Sequence, residues 1–366
     1  MKLISRFDSV LLISGLLLVG TGIVMVYSAS AILALEKFND EYFFLKKQTL
    51  FAVFGIATMV VAARVDHKFY ARIAYPILGI SFIALILVLL PGIGVQVGGA
   101  ARWLKVGMLT IQPSEFTKLA LLIYLAYSLA KKEENIKRFS VGVLPHIIII
   151  GLMLYLIIKE PDMGTAICIG TVAFTLLFVA GVRISHLAIT FLLVAPIVYF
   201  LIVNIGYRLQ RVLTFLNPWE YSSGSGFQII QSLYAFGSGG LSGVGLGGGK
   251  QKLFYLPEPH TDFIFSVIGE ELGLIAVLLV IVVFFVFIYR GIMIAIGTPD
   301  LFSKYLALGI TTLVGLQAVT HMGVTMGILP TKGIPLPFIS YGGSSLLCNL
   351  IGMGILLNIS SKTKKG

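Results

Sequence analysis

Residues 10–27 read VLLISGLLLVGTGIVMVY, an apolar run that contains no charged residue. A helix needs about 20 mostly apolar residues to cross the hydrocarbon core of a bilayer. The apolar part of a secretory signal peptide is shorter, about 7–15 residues, so this run predicts an uncleaved membrane helix. Runs of this kind recur along the whole chain, and we therefore predict an all-α polytopic membrane protein.

The overall composition indicates the same class. Of the 366 residues, 57% are hydrophobic and 12% are charged, with a mean hydropathy of +0.98. Soluble domains carry about 25% charged residues, so we predict a single membrane domain over residues 1–366. Cys168 and Cys348 both fall inside predicted spans, which indicates neither a disulfide nor a metal site.

The apolar runs predict about ten transmembrane helices, which puts both termini on the same side of the membrane. The predicted spans are residues 9–32, 45–63, 70–90, 113–130, 143–158, 164–181, 185–203, 263–289, 302–329 and 341–359.

The distribution of Lys and Arg orients these helices. With the amino terminus inside, the inner segments hold fifteen basic residues and the short outer segments hold seven. Because basic residues mark cytoplasmic loops, both termini are predicted to be cytoplasmic. The large loop over residues 204–262, between helices seven and eight, is then extracytoplasmic. The net charge of +11 fits loops that face anionic lipid, and no aromatic-basic module of the nucleic-acid type appears.

A distinctive polar segment closes this outer loop. Eight glycines between Gly237 and Gly249 precede the sequence LPEPHTDFIF at 256–265. The glycines include a G-x-G-x-x-G spacing at 243–248, but no predicted strand precedes it, and Gly249-Lys250 is followed by Gln rather than Ser or Thr. No nucleotide cofactor is therefore expected. Two interpretations stay open, a flexible re-entrant turn and a loop shaped around a polar head group.

Asp262 lies where this loop meets the eighth span. An acid at a helix start is stabilised by the helix dipole, so Asp262 is expected to be ionised and to cap the helix. Glu258 and His260 cluster with it, and Glu270 and Glu271 follow within the span. Acids at membrane depth usually face a cavity or a partner, which favours a functional role for Asp262 over capping alone.

Other polar residues suit an anionic ligand. Glu115 and Lys118 are three residues apart on the fourth span, and form either a self-contained ion pair or a pair in which Lys118 donates to substrate and Glu115 orients it. Arg102 and Trp103 precede that span and are placed to hold a phosphate or to anchor at the interface. The turn at 160–162, EPD, is predicted to be a polar turn with a helix cap.

Two further segments complete the set of candidates. Arg208 and Arg211 lie in the large loop near Gln228, and paired arginines suit phosphate recognition, although loop–membrane contact is the alternative. The segment LPTKGIPLPFISYGGSS at 329–345 carries three prolines and predicts irregular backbone that lines a cavity, which Lys332 would reach.

Six segments together resemble the SEDS family, named for shape, elongation, division and sporulation. They are GAARW at 99–103, QPSEFTKLA at 112–120, EPDMGT at 160–165, FQIIQS at 227–232, LPEPHTDFIF at 256–265 and LPTKGIPLPFISYGGSS at 329–345. The resemblance covers nearly the whole chain. The PTKG sequence at 330–333 is more similar to the FtsW branch, of division, than to the RodA branch, of elongation, and sporulation members (SpoVE) share it. Ala101 departs from the basic or polar residue expected there.

The resemblance implies a peptidoglycan glycosyltransferase in the bacterial cytoplasmic membrane. It would polymerise lipid II, a disaccharide-pentapeptide on undecaprenyl pyrophosphate, by inverting transfer at the outer face. The family's essential acid corresponds to Asp262, as general base or as ligand of a divalent cation (Mg²⁺ or Mn²⁺). Predicted substrate contacts are Arg102, Trp103, Glu115, Lys118, Arg208, Arg211, Gln228, Glu258, His260, Lys332 and Ser340.

Two other functions stay open from the sequence, a lipid II flippase and a non-catalytic scaffold for a transpeptidase. A flippase would want polar residues through the mid-membrane and paired discontinuous helices, whereas the polar clusters here lie mainly on one side. The family also implies a class B penicillin-binding protein as partner, together with divisome or elongasome regulators. No motif identifies the docking face.

Overall fold

The computed structural model describes residues 7–97, 100–107, 109–222, 224, 226–253 and 255–363. Gly98 and Gly99, which open the glycine-rich motif before Arg102, lie outside the described residues. The same holds for four of the basic residues used to predict the orientation, namely Lys2, Arg6, Lys364 and Lys365.

Within this part of the chain, helices dominate and one small antiparallel sheet interrupts them. The helices are α1 (Ser9–Phe38), α2 (Phe43–Arg64), α3 (His67–Arg72), α4 (Ala74–Leu89), α5 (Pro113–Lys131), α6 (Leu144–Lys159), α7 (Met163–Val179), α8 (Ile184–Val203), α9 (Gly206–Leu216), α10 (Phe227–Gly239), α11 (Ile264–Gly297), α12 (Leu301–Thr325) and α13 (Gly343–Thr363). The strands are β1 (Gly94–Val97), β2 (Ala100–Val106) and β3 (Leu109–Ile111), in the order β1-β2-β3.

Each of the ten predicted spans coincides with a helix, namely α1, α2, α4 to α8 and α11 to α13. Seven helices in the described residues are long and apolar enough to cross a membrane, and α4 and α7 are shorter apolar helices. The exception, α5, is central rather than lipid-facing: Leu119 to Ala126 are all buried. Its buried residues lie on all sides of the helix and include Glu115 and Lys118, so α5 belongs to the interior of the bundle. The predicted fold class, an all-α polytopic membrane protein, is confirmed.

Several boundaries differ from the prediction. Helix α1 continues to Phe38 and α11 to Gly297, whereas α12 already ends at Thr325. The sequence prediction also missed α3, α9, α10 and the sheet. These elements are short and carry polar residues among apolar ones, so hydropathy alone does not detect them.

Helix α11 is interrupted at Gly273, whose φ of +73° and ψ of −175° are not helical. The backbone groups released there bond to the glycine-rich segment: Leu274 N–H donates to the Gly240 carbonyl at 2.9 Å. In return, the N–H groups of Val244 and Gly245 donate to the carbonyls of Glu270 and Glu271, at 3.0 and 2.9 Å.

This packing leaves no room for a side chain on Gly239 or Gly243, whereas Gly240, Gly245 and Gly247 face open space. A Cβ at Gly243 would collide with the Glu271 carbonyl, and one at Gly239 with the Gly269 carbonyl. Part of this segment therefore restores the hydrogen bonding of a broken helix. The two interpretations of the glycines, a flexible re-entrant turn and a loop shaped around a polar head group, stay predictions.

The first and last described parts of the chain meet at one end of the bundle. The Asp8 N–H donates to the Ser360 hydroxyl at 3.1 Å, and the Arg290 guanidinium, near the far end of α11, pairs with the Asp8 carboxylate. Asp262 lies at the opposite end, directly before α11 begins. Residues near both termini thus lie at the end of the bundle opposite to the candidate site, and their position relative to the membrane stays a prediction.

Candidate functional site

Asp262 is held by a tight turn. The N–H groups of Thr261 and Asp262 both donate to the Glu258 carbonyl at 3.2 Å, and Glu258 adopts a positive φ of 51°. The residue at the start of α11 is Phe263, which makes no side-chain cap. Among the described residues, no hydrogen bond or ion pair engages the half-buried Asp262 carboxylate, so the predicted helix cap is not formed.

The irregular segment at 329–345 supports this turn from below. The Ser340 hydroxyl donates to the Thr261 carbonyl at 2.7 Å and accepts from the Leu336 N–H at 2.8 Å. The Tyr341 N–H donates to the His260 carbonyl at 2.9 Å. Ser340 is buried, and its hydroxyl donates one hydrogen bond and accepts one. It therefore positions the Asp262 turn, and its contact with substrate stays a prediction.

Gly333 forms the floor beneath the carboxylate. A Cβ built on Gly333 would lie 3.2 Å from Asp262 Oδ2, so the backbone approaches the acid as closely as glycine allows. The neighbouring Ile334 carbonyl is fixed by the His321 ring, at 2.8 Å from Nδ1. Lys332, next to Gly333, is half-buried and forms no ion pair with any described residue. It remains the cation nearest in sequence to this floor.

A second wall joins the β-sheet to the turn between α6 and α7. Arg102 on β2 donates from Nε to the Glu160 carbonyl at 2.9 Å, and from Nη2 to the Pro161 carbonyl at 2.7 Å. Asp162 caps α7 by accepting from the Thr165 N–H at 3.0 Å, as predicted for this turn. Arg102 thus clamps a turn as well as supplying positive charge to the site.

The surroundings of Asp262 act on its pKa in opposite directions. Burial, and then the neighbouring Glu258 carboxylate, raise the pKa of Asp262 to about 6, while Arg211 and Arg102 act to lower it. The expectation that the helix start keeps this acid ionised is therefore replaced by a balance of burial against two arginines. At neutral pH the carboxylate is mostly ionised, with a pKa suited to taking up a proton.

Glu160 is a second carboxyl group without a partner. Its side chain is completely buried, and neither carboxyl oxygen has a hydrogen-bond partner in the part of the chain that the structure describes. Burial, and then Asp162, raise the pKa of Glu160 to about 8. The group is therefore mostly neutral at pH 7. The sequence alone predicts for Glu160 only a place in a polar turn.

Glu115 and Lys118 pair with each other. Lys118 Nζ lies 2.7 Å from Glu115 Oε1, and both side chains are 3% exposed. A cavity of about 20 Å³, lined in part by this pair, Gln317 and Asn349, has room for about one water. The geometry shows the ion pair, but Glu115 Oε2 has no hydrogen-bond partner among the described residues, so the predicted contact of this pair with substrate stays open.

Of the remaining predicted substrate contacts, two are buried and the others are exposed or half-buried. Arg208 is buried and donates to Tyr207 Oη and to the Leu201 carbonyl, so it closes the end of α8 rather than pairing with Arg211 on a phosphate. Arg211 is exposed. The His260 ring is buried against Phe44, at 4.5 Å between ring centroids. The others are exposed or half-buried, namely Glu258 in the turn, Trp103 on β2 and Gln228 at the start of α10.

Within the described ranges, no group of three or more His, Cys, Asp or Glu side chains is arranged to hold a metal ion. Asp262 would supply a single carboxylate. Mg²⁺ is commonly held by one or two carboxylates together with substrate phosphates. The donor set therefore fits a cation that arrives with a phosphorylated ligand, and does not fit a preformed metal site.

Known proteins are similar to this chain over nearly its whole length. A family model described as "Cell cycle protein", covering FtsW, RodA and SpoVE, matches residues 8–365. The chain is 48% identical over 364 residues to a probable peptidoglycan glycosyltransferase FtsW of Geobacter metallireducens, covering 100% of this chain and 97% of that protein. It is 45% identical to stage V sporulation protein E of Bacillus subtilis, with 96% of each covered.

Solved structures agree with the sequence relatives. A structure titled "Structural coordination of polymerization and crosslinking by a peptidoglycan synthase complex" matches with a TM-score of 0.81 and 29% identity, over 98% of this chain and 99% of that one. Rod shape determining protein RodA of Thermus thermophilus matches with a TM-score of 0.71 and 26% identity, over 97% and 96% of the two chains. The chain therefore belongs to the FtsW/RodA/SpoVE family, the SEDS proteins.

Proposed function

We propose that this protein is a peptidoglycan glycosyltransferase that polymerises lipid II, as part of septal wall synthesis in division. The observation that carries the proposal is the Asp262 carboxylate, which has no donor among the described residues and lies in the field of Arg102 and Arg211. The names of the FtsW relatives support this activity, and the sporulation relative shows that division is not the family's one role.

The transfer follows from what this carboxylate can do. The 4-hydroxyl of the acceptor sugar attacks the anomeric carbon of the donor, and Asp262 takes the hydroxyl proton as general base. The bond from the anomeric carbon to undecaprenyl pyrophosphate breaks as the new glycosidic bond forms, with inversion. A pyrophosphate needs less acid assistance than an ordinary glycoside leaving group, so one carboxylate suffices.

The leaving pyrophosphate requires positive charge. Arg211 is exposed beside Asp262, and Lys332 lies next to Gly333. In the alternative role, Asp262 would hold a divalent cation, Mg²⁺ or Mn²⁺, which would supply further neutralisation of the pyrophosphate. The arginine clamp at Arg102 keeps its charge within reach of this region while it fixes the turn after α6.

The membrane setting of this proposal is the bacterial cytoplasmic membrane, with Asp262 on the outer face and both termini in the cytoplasm. The excess of basic residues in the inner segments supports this orientation. The structural relative in a synthase complex supports a transpeptidase of the class B penicillin-binding protein type as partner. Undecaprenyl-pyrophosphate-linked glycan and regulators of the divisome or elongasome complete the expected set.

The function is tested with purified protein and fluorescently labelled lipid II in detergent. We expect ladders of glycan strands on a gel, formed by the protein alone or after addition of its transpeptidase. Failure to form strands both with the protein alone and with its transpeptidase added would contradict the proposal.

A lipid II flippase is the weaker candidate. Its expected feature, discontinuous helices around an open polar path, is met only in part, because the break in α11 is filled by the backbone at 240–245. Movement of labelled lipid II across liposomes without polymer formation would reverse the ranking. The scaffold hypothesis predicts instead that Asp262→Asn complements a deletion strain.

A further inference from the structure

A second region with basic side chains lies at the end of the bundle opposite to Asp262. A cavity of about 230 Å³ opens between α3, the end of α5 and the start of α12. Helix α5 has 19 residues and starts near the candidate site, so the cavity lies about 28 Å away along the helix axis. Its walls include Lys68, Lys131, His67, Tyr127, Phe302 and Asp300.

The two lysines in this cavity carry uncompensated charge. Neither Lys68 nor Lys131 forms an ion pair with any residue that the structure describes, and both side chains are exposed. The ammonium group of Lys131 lies 5.8 Å from the centroid of the Tyr127 ring rather than on a carboxylate. Burial and the charge of Lys131 lower the pKa of the adjacent Lys132, which shows how positive charge crowds this corner.

The acids nearby already have other partners. Asp300 Oδ2 accepts from the Ser303 N–H at 2.9 Å and so caps α12. Asp66 accepts from the Lys68 N–H at 2.8 Å and pairs with Lys362 at 3.0 Å. These two acids, together with Lys362 and Lys68, also surround His67.

His67 contributes no charge to the cavity at neutral pH. Burial is the largest cause that lowers the pKa of His67, and Lys362 adds to it against the two acids. The ring is therefore neutral at pH 7. With Lys68 and Lys131 on one side and Asp300 on the other, the cavity keeps an excess of positive charge.

The size and position of the cavity select the ligand. Pockets for drug-sized molecules occupy about 300–1,000 Å³, so this one is suited to a single head group. Apolar surface continues from it: Phe302 lines the cavity, and Phe69 on α3 is 50% exposed. A ligand with a phosphate and acyl chains satisfies both features, whereas a soluble anion leaves the apolar side empty.

We propose that this cavity binds the phosphate of an anionic inner-leaflet lipid, of the phosphatidylglycerol type, between Lys68 and Lys131. The proposal rests on the cytoplasmic orientation given above, and it is independent of the chemistry at Asp262.

The binding is tested by native mass spectrometry of the purified full chain, titrated with phosphatidylglycerol or with phosphatidylcholine. Each basic residue near a charged membrane surface contributes about fivefold to binding, so the double variant Lys68→Gln/Lys131→Gln should bind phosphatidylglycerol about 25-fold more weakly. The matched control, Lys137→Gln/Lys304→Gln, removes the same charge from the same end of the bundle outside the cavity and should bind like the native protein.

A second measurement uses the native protein alone. Phosphatidylglycerol should slow modification of Lys68 and Lys131 by an amine reagent, while modification of Lys137 and Lys304 stays unchanged. Equal weakening in both double variants, or no weakening in either, would overturn the proposal. If inorganic phosphate protects the two lysines as fully as the lipid does, the site binds free phosphate and the lipid assignment is wrong.

Discussion

The carboxylates at the start of α11 have opposite surroundings. Glu270 accepts from the backbone N–H groups of Lys250 and Gln251, at 2.7 and 3.2 Å. Glu271 pairs with the Lys252 ammonium and accepts from the Ser28 hydroxyl at 2.5 Å. Asp262, in the turn just before the helix, receives no hydrogen bond from any described residue. One polypeptide stretch therefore holds satisfied acids and an unsatisfied one.

This difference distinguishes acids that stabilise the fold from an acid that is available for a reaction. Buried charges that serve the fold are paired, because an unpaired buried charge is costly. A carboxylate left without donors keeps its affinity for protons and cations, and such groups cluster at functional sites. The paired acids bind the glycine-rich segment to α11, and this rigid platform leaves Asp262 poorly satisfied at its edge.

Replacement of Asp262 by Asn is expected to have the largest effect on catalysis. Loss of a general base typically lowers the rate by about 10²–10⁴-fold, while removal of a poorly solvated charge should leave the melting temperature unchanged or raised. Lipid II polymerisation on gels measures the rate. Glu220→Gln, at an exposed acid of the same outer region, is the control and should keep most of the activity. If Asp262→Asn polymerised lipid II at the native rate, Asp262 would have no role in catalysis.

Replacement of Glu271 by Gln should act on stability instead. The change leaves the Lys252 ammonium buried without its counter-charge, and breaking a buried pair in this way costs about 3–5 kcal/mol. A thermal unfolding curve of the purified protein measures the loss. Glu220→Gln, at an exposed acid of the same outer region, should stay within about 0.5 kcal/mol of the native protein. Equal melting temperatures for the two variants would show that the pair does not hold the platform.

The helices of this comparison were predictable from the sequence, but their internal contacts were not. Apolar runs identified all ten spans because burial in lipid requires long hydrophobic segments. The break at Gly273 is hidden, since the surrounding run GLIAVLLVIVV at 273–283 is continuously apolar. Asp262 stood out because an acid at the membrane edge is uncommon, and that signal needs no partner.

The roles of Arg102 and Ser340 could not be inferred in the same way. Arg102 donates to carbonyls nearly sixty residues away, and Ser340 to the carbonyl of Thr261, so each role depends on tertiary contacts. Backbone carbonyls carry no side-chain signature in a sequence. Glu160 looked like an ordinary turn residue for the same reason, because its lack of a partner is visible only in the fold.

A methyl group at Gly333 tests how closely the site is built. In Gly333→Ala the new Cβ would lie 3.2 Å from Asp262 Oδ2, which obliges the acid or the floor to move by a few tenths of an ångström. Misplacement of a catalytic group by about 1 Å costs roughly 10²-fold, so we expect a loss of about tenfold or less. Gly342→Ala, whose Cβ meets Ser345 at an ordinary 3.7 Å, is the control in the same segment. Equal rates in both variants would argue against contact between Gly333 and the acid.

Loss of the charge at Arg211 should shift the pH dependence. Asp262 must be ionised to act as a base, so kcat/KM should rise with pH through its pKa of about 6. Arg211 lowers that pKa, and Arg211→Gln therefore moves the acid limb to higher pH. The shift should be a few tenths of a pH unit, because Arg211 is exposed and screened by salt. Arg183→Gln, on the opposite end of the bundle, should leave the profile unchanged, and a shift to lower pH in Arg211→Gln would contradict the assignment.

Replacement of Glu160 by Gln should change the rate least, because this second unpartnered carboxyl is already neutral. Burial raises the pKa of Glu160 to about 8 from an ordinary 4.5, so an amide resembles the form present at pH 7. Since the folded protein binds this proton more tightly than the unfolded chain, the contribution to stability is complete below pH 4.5. It is lost as the pH rises to about 8.

The Gln variant should therefore polymerise lipid II at nearly the native rate and lack this part of the decline in melting temperature between pH 5 and pH 8. Glu160→Ala is the contrasting variant, since it empties a completely buried position and should melt lower at every pH. A large loss of activity in Glu160→Gln at pH 7 would mean that the carboxyl group of Glu160 takes part in the reaction. Glu160 would then act together with Asp262, and both carboxyl groups would stand apart from Glu270 and Glu271, which stabilise the fold.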